Sequence, residues 1–103
     1  EFIPERILRP LGMTTSTMTI EQMEKVADRS FGYNYNFDTK ETIRLPYREI
    51  KQVAPAGSIN SSSNEMAEWL RFILAGGVHN GKRLISEASF AEWMKPQMNV
   101  TPN

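Results

Sequence analysis

Residues 62–74 read SSNEMAEWLRFIL, and this stretch predicts the clearest helix of the chain. Ser62 and Glu65 have the spacing of a capping box, in which each side chain accepts a hydrogen bond from the other residue's backbone N–H. A glycine pair follows the stretch and favours a left-handed exit, so we expect a helix over 63–75. Five apolar residues fall on a single stripe of this helix, which predicts one buried face: Met66, Trp69, Leu70, Ile73 and Leu74.

Helical periodicity also marks three shorter segments. An apolar repeat before Pro10 predicts a helix at the start of the chain. A capping-box pattern predicts a second helix over about 20–28. A third is expected over about 87–95, where an N-cap serine precedes an apolar repeat and a proline follows it. Three residues form the predicted buried face of this last helix: Phe90, Trp93 and Met94.

One β-hairpin is expected in the middle of the chain. Residues 32–37 alternate between aromatic and polar side chains, and residues 42–47 alternate again. Pro46 cannot donate a ladder hydrogen bond, so the second segment is predicted as an edge strand or an extended loop. The predicted fold class is mainly α with a small irregular β-hairpin, and we expect one partial domain over 1–103.

The composition argues against several classes of function. Lys plus Arg and Asp plus Glu each number 12, so the formal net charge is zero, and no nucleic-acid partner is expected without a basic stripe. Cys is absent and His occurs once, which excludes disulfides and the usual His/Cys zinc site within the chain. No metal and no cofactor are expected. No apolar run approaches the roughly 20 residues of a membrane-spanning helix.

The sequence shows no catalytic couple. Nucleophilic catalysis needs a hydroxyl or thiol beside a base, and no Ser here has a Lys three residues later, the S-x-x-K spacing of one class of serine hydrolases. The serine run 61–63 is interpreted as the start of a helix. His79 could in principle be a general base. It lies in a glycine-rich turn with no carboxylate nearby in sequence, so we interpret it as an exposed turn residue and predict no catalytic residue.

Four stretches resemble, in the same order, segments of the serine β-lactamase-related family, which includes class C β-lactamases, D-alanyl-D-alanine carboxypeptidases and related esterases. Residues 7–13 read ILRPLGM, with Thr15 shortly after, and resemble its I-x-x-P-L-G-M-x-x-T segment. Residues 54–70 resemble its A-P-A-G-G segment, which leads into a helix with the sequence D-M-A. Residues 76–86 and 94–97 resemble its G-G-x-x-N-G-K-x-L and M-x-x-P-Q segments.

The resemblance implies that the chain is the mid-sequence helical lobe of a longer parent protein. In the family this lobe packs against an α/β lobe and forms one wall of the substrate pocket. The S-x-x-K and Y-x-N motifs lie upstream of the P-L-G-M segment and the K-x-G or H-x-G motif lies downstream of the P-Q ending, so the catalytic residues are expected outside 1–103. The implied partners are the missing catalytic lobe and, in the parent, a small-molecule or peptide substrate. The implied location is periplasmic or extracellular.

The family's A-G pair approaches the substrate cleft, which points to Ala56, Gly57 and Ser58 as substrate-side residues of the parent. Gly57 suits this position because a residue without Cβ lets the backbone come close to a ligand. The alternative is that Gly57 only makes the turn into the following helix.

Two functions remain open at this level. The first is a non-catalytic part of a hydrolase that cleaves a β-lactam, a D-Ala peptide or an ester through an acyl-enzyme. The second is a non-enzymatic helical module for protein or peptidoglycan contacts. The first predicts the three catalytic motifs in the flanking parts of the gene, and the second predicts their absence.

Overall fold

The computed structural model describes residues 2–48, 50 and 53–98. These residues form an N-terminal π-helix, four α-helices and two antiparallel hairpins. The π-helix spans Pro4–Leu8. The α-helices are α1 (Ile20–Glu24), α2 (Ala54–Gly57), α3 (Ser63–Leu74) and α4 (Glu87–Trp93). One hairpin pairs β1 (Tyr33–Asn36) with β2 (Glu41–Arg44), and the other pairs β3 (Val78–His79) with β4 (Lys82–Arg83).

The fold is therefore a mixed one, and the prediction of a mainly helical chain with one hairpin holds only in part. The sequence predicted only a turn at residues 79–81, whereas the structure has a second hairpin there with the two-residue turn Asn80–Gly81. Both turn residues have positive φ, +48° and +76°, as a tight antiparallel hairpin requires. Helix α1 is shorter than predicted because the Lys25 N–H bonds back to the carbonyl of Gln22, three residues earlier, and closes the helix. No helix of the described residues is long and apolar enough to span a bilayer.

Helix α3 lies where its sequence predicts it because both of its ends are encoded locally. Ser62 Oγ accepts from the Glu65 N–H at 3.3 Å at the start of the helix. At the other end the Gly77 N–H bonds to the Phe72 carbonyl and the Gly76 N–H to that of Ile73, both at 3.0 Å. This pair of bonds is a Schellman motif, and the two glycines have the positive φ that it needs.

The core joins the N-terminal segment to the inner side of α3. Leu8, Leu11, Met13 and Phe72 are its buried apolar residues. The N-terminal part of the core lies on the π-helix, whose backbone hydrogen bonds span five residues. One of them joins the Arg9 N–H to the Pro4 carbonyl at 3.0 Å. Seven partly buried residues pack around the core: Ile3, Ile7, Met18, Trp69, Ile73, Leu84 and Ile85.

The prediction of a single buried stripe on α3 is wrong for three of its five residues. Trp69 and Ile73 turn inward beside Phe72, which is 3% exposed. Three residues at i, i+4 and i+8 face outward: Met66, Leu70 and Leu74. Trp93 and Met94 of the predicted buried face of α4 are exposed as well. Within the described residues, the helices carry more apolar surface than this fold covers.

The dimensions of the chain agree with this incomplete burial. Its Cα radius of gyration is 17.8 Å, whereas a compact chain of this length has about 13 Å. The principal extents are 55 × 44 × 25 Å. An open shape leaves the small core of Leu8, Leu11, Met13 and Phe72 to supply much of the apolar stabilisation.

Leu11→Ala tests how much depends on this core. Leu11 is 1% exposed, so its truncation leaves a cavity and is expected to lower the free energy of unfolding by about 2–5 kcal/mol. Leu74→Ala is the matched control, since Leu74 is 87% exposed and its loss is expected to cost less than about 0.5 kcal/mol. Urea denaturation followed by circular dichroism measures both values. Equal losses for the two variants would contradict this assignment of the core.

Candidate functional site

Two segments that are distant in sequence meet beside the start of α3. Thr17 and Asn60 form an isolated antiparallel bridge, in which each backbone N–H donates to the other residue's carbonyl at 2.9 Å. The bridge ties the segment after the ILRPLGM stretch to the segment that follows α2. The two stretches that carry most of the family resemblance are thus in direct contact.

The Glu65 carboxylate reinforces this junction. Its Oε1 accepts from the Thr15 N–H at 2.7 Å, and its Oε2 accepts from Ser16 Oγ at 2.5 Å. Ser16 has one hydroxyl proton and gives it to Glu65, so the 2.7 Å contact between Ser16 Oγ and Ser61 Oγ has Ser61 as its donor. The capping box is therefore only half present, because the Glu65 side chain bonds to residues 15–16 instead of the Ser62 N–H.

These contacts determine the ionisation of Glu65. Partial burial on its own raises the pKa of a carboxyl group. Here the hydrogen bonds from Ser16 and Thr15 favour the charged form and outweigh burial, so the pKa of Glu65 is lower than the ordinary value of 4.5. Glu65 is consequently a carboxylate at neutral pH and a stable acceptor for the junction.

The Ser16–Ser61–Glu65 cluster is a clamp and not a nucleophile. A carboxylate with a lowered pKa is a very weak base toward a hydroxyl, so it cannot generate an alkoxide. In the part of the chain that the structure describes, no Lys or His side chain is hydrogen-bonded to a Ser hydroxyl. The cluster can hold two segments together, but it has no group that could activate Ser16 or Ser61.

The predicted substrate-side residues lie at the end of α2. Gly57 is the last residue of this helix, and the Ser58 N–H closes it by bonding to the Ala54 carbonyl at 3.0 Å. Ala56 is exposed, whereas Ser58 is 8% exposed and its Oγ has no hydrogen-bond partner among the described residues. A Cβ on Gly57 would lie 3.8 Å from Ile50 Cδ1, an ordinary contact distance. The local fold therefore does not itself require glycine at this position.

Two clefts adjoin the junction, and Asn60 lines both of them. The smaller, of about 170 Å³, brings Gly57 and Ser58 together with Met18 and Arg48, while Ala56 is not part of its lining. The larger, of about 480 Å³, lies between residues 15–17, residues 26–30 and residues 59–62. The junction thus separates two clefts, and the smaller cleft contains Gly57 and Ser58, two of the three predicted substrate-side residues.

His79 is not the exposed turn residue that its sequence context predicts. Its side chain is 9% exposed in β3, with Nδ1 at 4.0 Å from Glu68 Oε2 and Nε2 at 3.1 Å from Asn80 Nδ2. The carboxylate comes from α3, eleven positions away in sequence, because β3 packs back against that helix. Among the described residues, no three His, Cys, Asp or Glu side chains are arranged to hold a metal ion.

Comparison with known proteins finds a likeness in fold but none in sequence. The chain matches no protein-family model and no curated protein sequence. Its fold is similar to a segment of a penicillin-binding protein homologue. That solved structure is the octameric penicillin-binding protein homologue from Pyrococcus abyssi, with a TM-score of 0.77 and 24% sequence identity. The match covers 96% of this chain and 21% of that chain, so this chain spans about a fifth of the homologue's length.

The junction itself was not predicted from the sequence, although its parts were visible. The resemblance singled out Thr15 after the P-L-G-M stretch, and Glu65 was visible as a capping residue; the structure joins them through the Thr15 N–H, and the neighbouring Ser16 hydroxyl, which was not singled out, donates to the same carboxylate. The sequence assigned Glu65 to a local cap because a capping box needs only residues three apart. The competing partner was 49 residues away.

Glu65→Gln tests the clamp through its pH dependence. Because the folded-state pKa is lowered, the stability that Glu65 adds is present above the unfolded-state pKa and is lost as pH falls through the folded-state pKa. At about pH 6 the variant is expected to be about 1 kcal/mol less stable than the wild type, and this gap should shrink toward pH 3. Urea unfolding across this range measures it.

Glu24→Gln provides the control for that experiment, since Glu24 is exposed at the end of α1. Its stability is expected to stay within about 0.5 kcal/mol of the wild type. A gap between the wild type and Glu65→Gln that stays constant from pH 6 to pH 3 would rule out an ionised clamp.

Proposed function

We propose that the chain is the helical-lobe part of a serine hydrolase of the penicillin-binding protein and β-lactamase type. In this role it forms one wall of the substrate pocket and supports the catalytic lobe, and it has no activity by itself. The observation that carries the proposal is the structural likeness, which extends over 96% of this chain but only 21% of the homologue. The ordered resemblance of four sequence stretches to the serine β-lactamase-related family supports the same conclusion.

The uncovered apolar surface supports a role as one part of a larger body. Leu70 is 57% exposed in the middle of α3, between two further outward-facing apolar residues on the same helix. Contiguous apolar patches of this kind mark interaction sites in soluble proteins. A catalytic lobe packed on this side of α3 would bury these side chains and complete the thin core.

The chemistry expected of the parent is acyl transfer. An activated Ser attacks an amide or ester carbonyl, the leaving group departs to give an acyl-enzyme, and water or another acceptor then releases the acyl group. The family's motifs for this reaction would lie before and after 1–103. The residues described here contribute structure: the clamp between Ser16 and Glu65 holds the segment that leads to the pocket.

Ala56, Gly57 and Ser58 are the proposed substrate-side residues of this wall. Among the described residues, neither a steric contact nor a positive φ requires glycine at position 57, which favours a close approach from a group outside them. Ser58 Oγ is a hydroxyl without a partner among the described residues, beside the smaller cleft. In the parent the α2 end would face the acyl group or its leaving group.

Labelling with a fluorescent penicillin tests whether the catalytic residues lie outside residues 1–103. The purified chain is expected to show no covalent label and no nitrocefin hydrolysis, because no Ser hydroxyl in the described residues is hydrogen-bonded to a Lys or His side chain. The full-length gene product is expected to carry S-x-x-K, Y-x-N and K/H-x-G motifs in that order and to be labelled at the Ser of the first. A label on residues 1–103 alone would refute the proposal, and a gene without the three motifs would favour the non-enzymatic binding module.

Leu70→Glu tests whether the outer side of α3 is covered in the parent. In the isolated chain the substitution is expected to change stability by less than about 1 kcal/mol, because Leu70 is exposed. In the full-length protein it would bury an unpaired charge, so a large fall in soluble yield and thermal midpoint is expected. Ala88→Glu, on an exposed position of α4, is the control. Equal tolerance of both variants in the full-length protein would contradict the proposed packing.

A further inference from the structure

The end of α2, which carries Gly57 and Ser58, has little support from the helix itself. Helix α2 has only four residues, and its N-cap, Val53, makes no side-chain capping bond. The first helical turn fixes several dihedral angles for a single hydrogen bond, so a helix of this length is not stable on its own. Within the described residues, α2 packs on no other helix or strand. Contacts made beyond the helix therefore matter for the position of Gly57 and Ser58.

The side chain of Asn60 supplies one such contact. Its Nδ2 donates a hydrogen bond to the Ser58 carbonyl at 3.1 Å. A carbonyl oxygen can only accept, so the amide must present its NH₂ group to Ser58. The Ser58 N–H is already bonded to the Ala54 carbonyl at 3.0 Å. The backbone of Ser58 is thus held at its N–H by α2 and at its C=O by Asn60.

The backbone of Asn60 is anchored independently of its side chain. Its N–H and C=O are both bonded to Thr17, which follows the two residues that the Glu65 carboxylate holds. Among the hydrogen bonds of the described residues, the half-buried Asn60 amide provides the link between this junction and the end of α2. A series of contacts therefore runs from Glu65 through Thr17 and Asn60 to the Ser58 carbonyl.

We propose that Asn60 is a positioning residue for the reaction of the parent protein. Its side-chain amide fixes the Ser58 backbone relative to the junction, and with it the part of the pocket wall formed by Gly57 and Ser58. Under the proposed function, on which this role rests, that wall faces the substrate. Asn60 acts through Ser58 and has no need to touch the substrate itself. Misplacing a substrate-positioning group by about 1 Å can slow a reaction by about a hundredfold, so one such hydrogen bond is enough to affect the rate.

Asn60→Asp tests the hydrogen bond in the 103-residue chain. The variant keeps the backbone bridge and the size of the side chain, but it replaces the donor with a carboxylate oxygen that repels the Ser58 carbonyl. Amide hydrogen exchange measured by NMR is expected to be about tenfold faster at Ser58, while the Thr17 and Asn60 amides keep their protection. Asn60→Ala removes the donor without adding charge and is expected to speed exchange at Ser58 by about fivefold.

Asn64→Asp is the matched control for these variants. It makes the same chemical change at an exposed position in the first turn of α3. Exchange at Ser58 is expected to stay at the wild-type rate in this control, because no contact with α2 is lost. Unchanged exchange at Ser58 in both Asn60 variants would overturn the proposal. So would an equal loss of protection at Thr17, since the side chain would then act on the junction as a whole.

Acylation of the full-length gene product by a fluorescent penicillin tests the role in the reaction. Asn60→Asp is expected to lower the acylation rate constant by about tenfold or more, with the final labelled fraction and the thermal midpoint unchanged. A purely structural defect would instead lower the labelled fraction or the thermal midpoint. Asn64→Asp is expected to react at the wild-type rate.

The two measurements separate this role from the proposed function. A wild-type parent that takes no label would refute the proposed function, and the role of Asn60 in the reaction with it, whatever the exchange rates show. A labelled wild type, with Asn60→Asp exchanging faster at Ser58 but acylated at the wild-type rate, would overturn the positioning role alone.

Discussion

The contact between the Glu65 carboxylate and the Thr15–Ser16 segment organises the rest of this structure. It joins positions 49 and 50 residues apart, and the backbone bridge between Thr17 and Asn60 lies beside it. Closing a loop of this length has an entropic cost that must be offset by contacts at the closure. Charge-assisted hydrogen bonds are among the stronger contacts available, and two of them converge here on one carboxylate.

The closure has a direct consequence for packing. It brings the N-terminal segment against α3, so that Leu8, Leu11 and Met13 reach Phe72 and form the core. The same closure orients α3 with only one of its apolar sides inward. The other side, with Leu70 at its centre, remains in contact with solvent. Under the proposed function, the catalytic lobe of the parent would cover this open face.

The same junction explains why a serine-rich region has an architectural role. Ser16 and Ser61 are hydrogen-bonded to each other and Ser16 to a carboxylate, an arrangement that fixes positions without producing a nucleophile. Two clefts then open on either side of Asn60, and the smaller includes Gly57 and Ser58. Under the proposed function, the region's contribution to acyl transfer is the placement of this surface beside a reaction centre supplied by other residues.

The sequence by itself determined the elements whose signals are local. Helix α3 lies over 63–74 because Ser62 caps one end and a glycine pair closes the other, and both signals act within a few residues. The hairpin β1–β2 followed from alternation of aromatic and polar residues, and the resemblance to penicillin-binding protein relatives agreed with the fold likeness found for the structure.

Only the tertiary structure decided which partner each of these elements takes. In the tertiary structure the Glu65 carboxylate accepts from Ser16 and Thr15, and Met66, Leu70 and Leu74 face outward. His79 lies largely covered beside Glu68. An apolar repeat predicts that a helix has an apolar face, but it does not predict which residues pack on that face. A carboxylate can accept a hydrogen bond from a local backbone N–H or from a distant hydroxyl with similar geometry. The choice depends on contacts between residues far apart in the chain, which no local pattern contains.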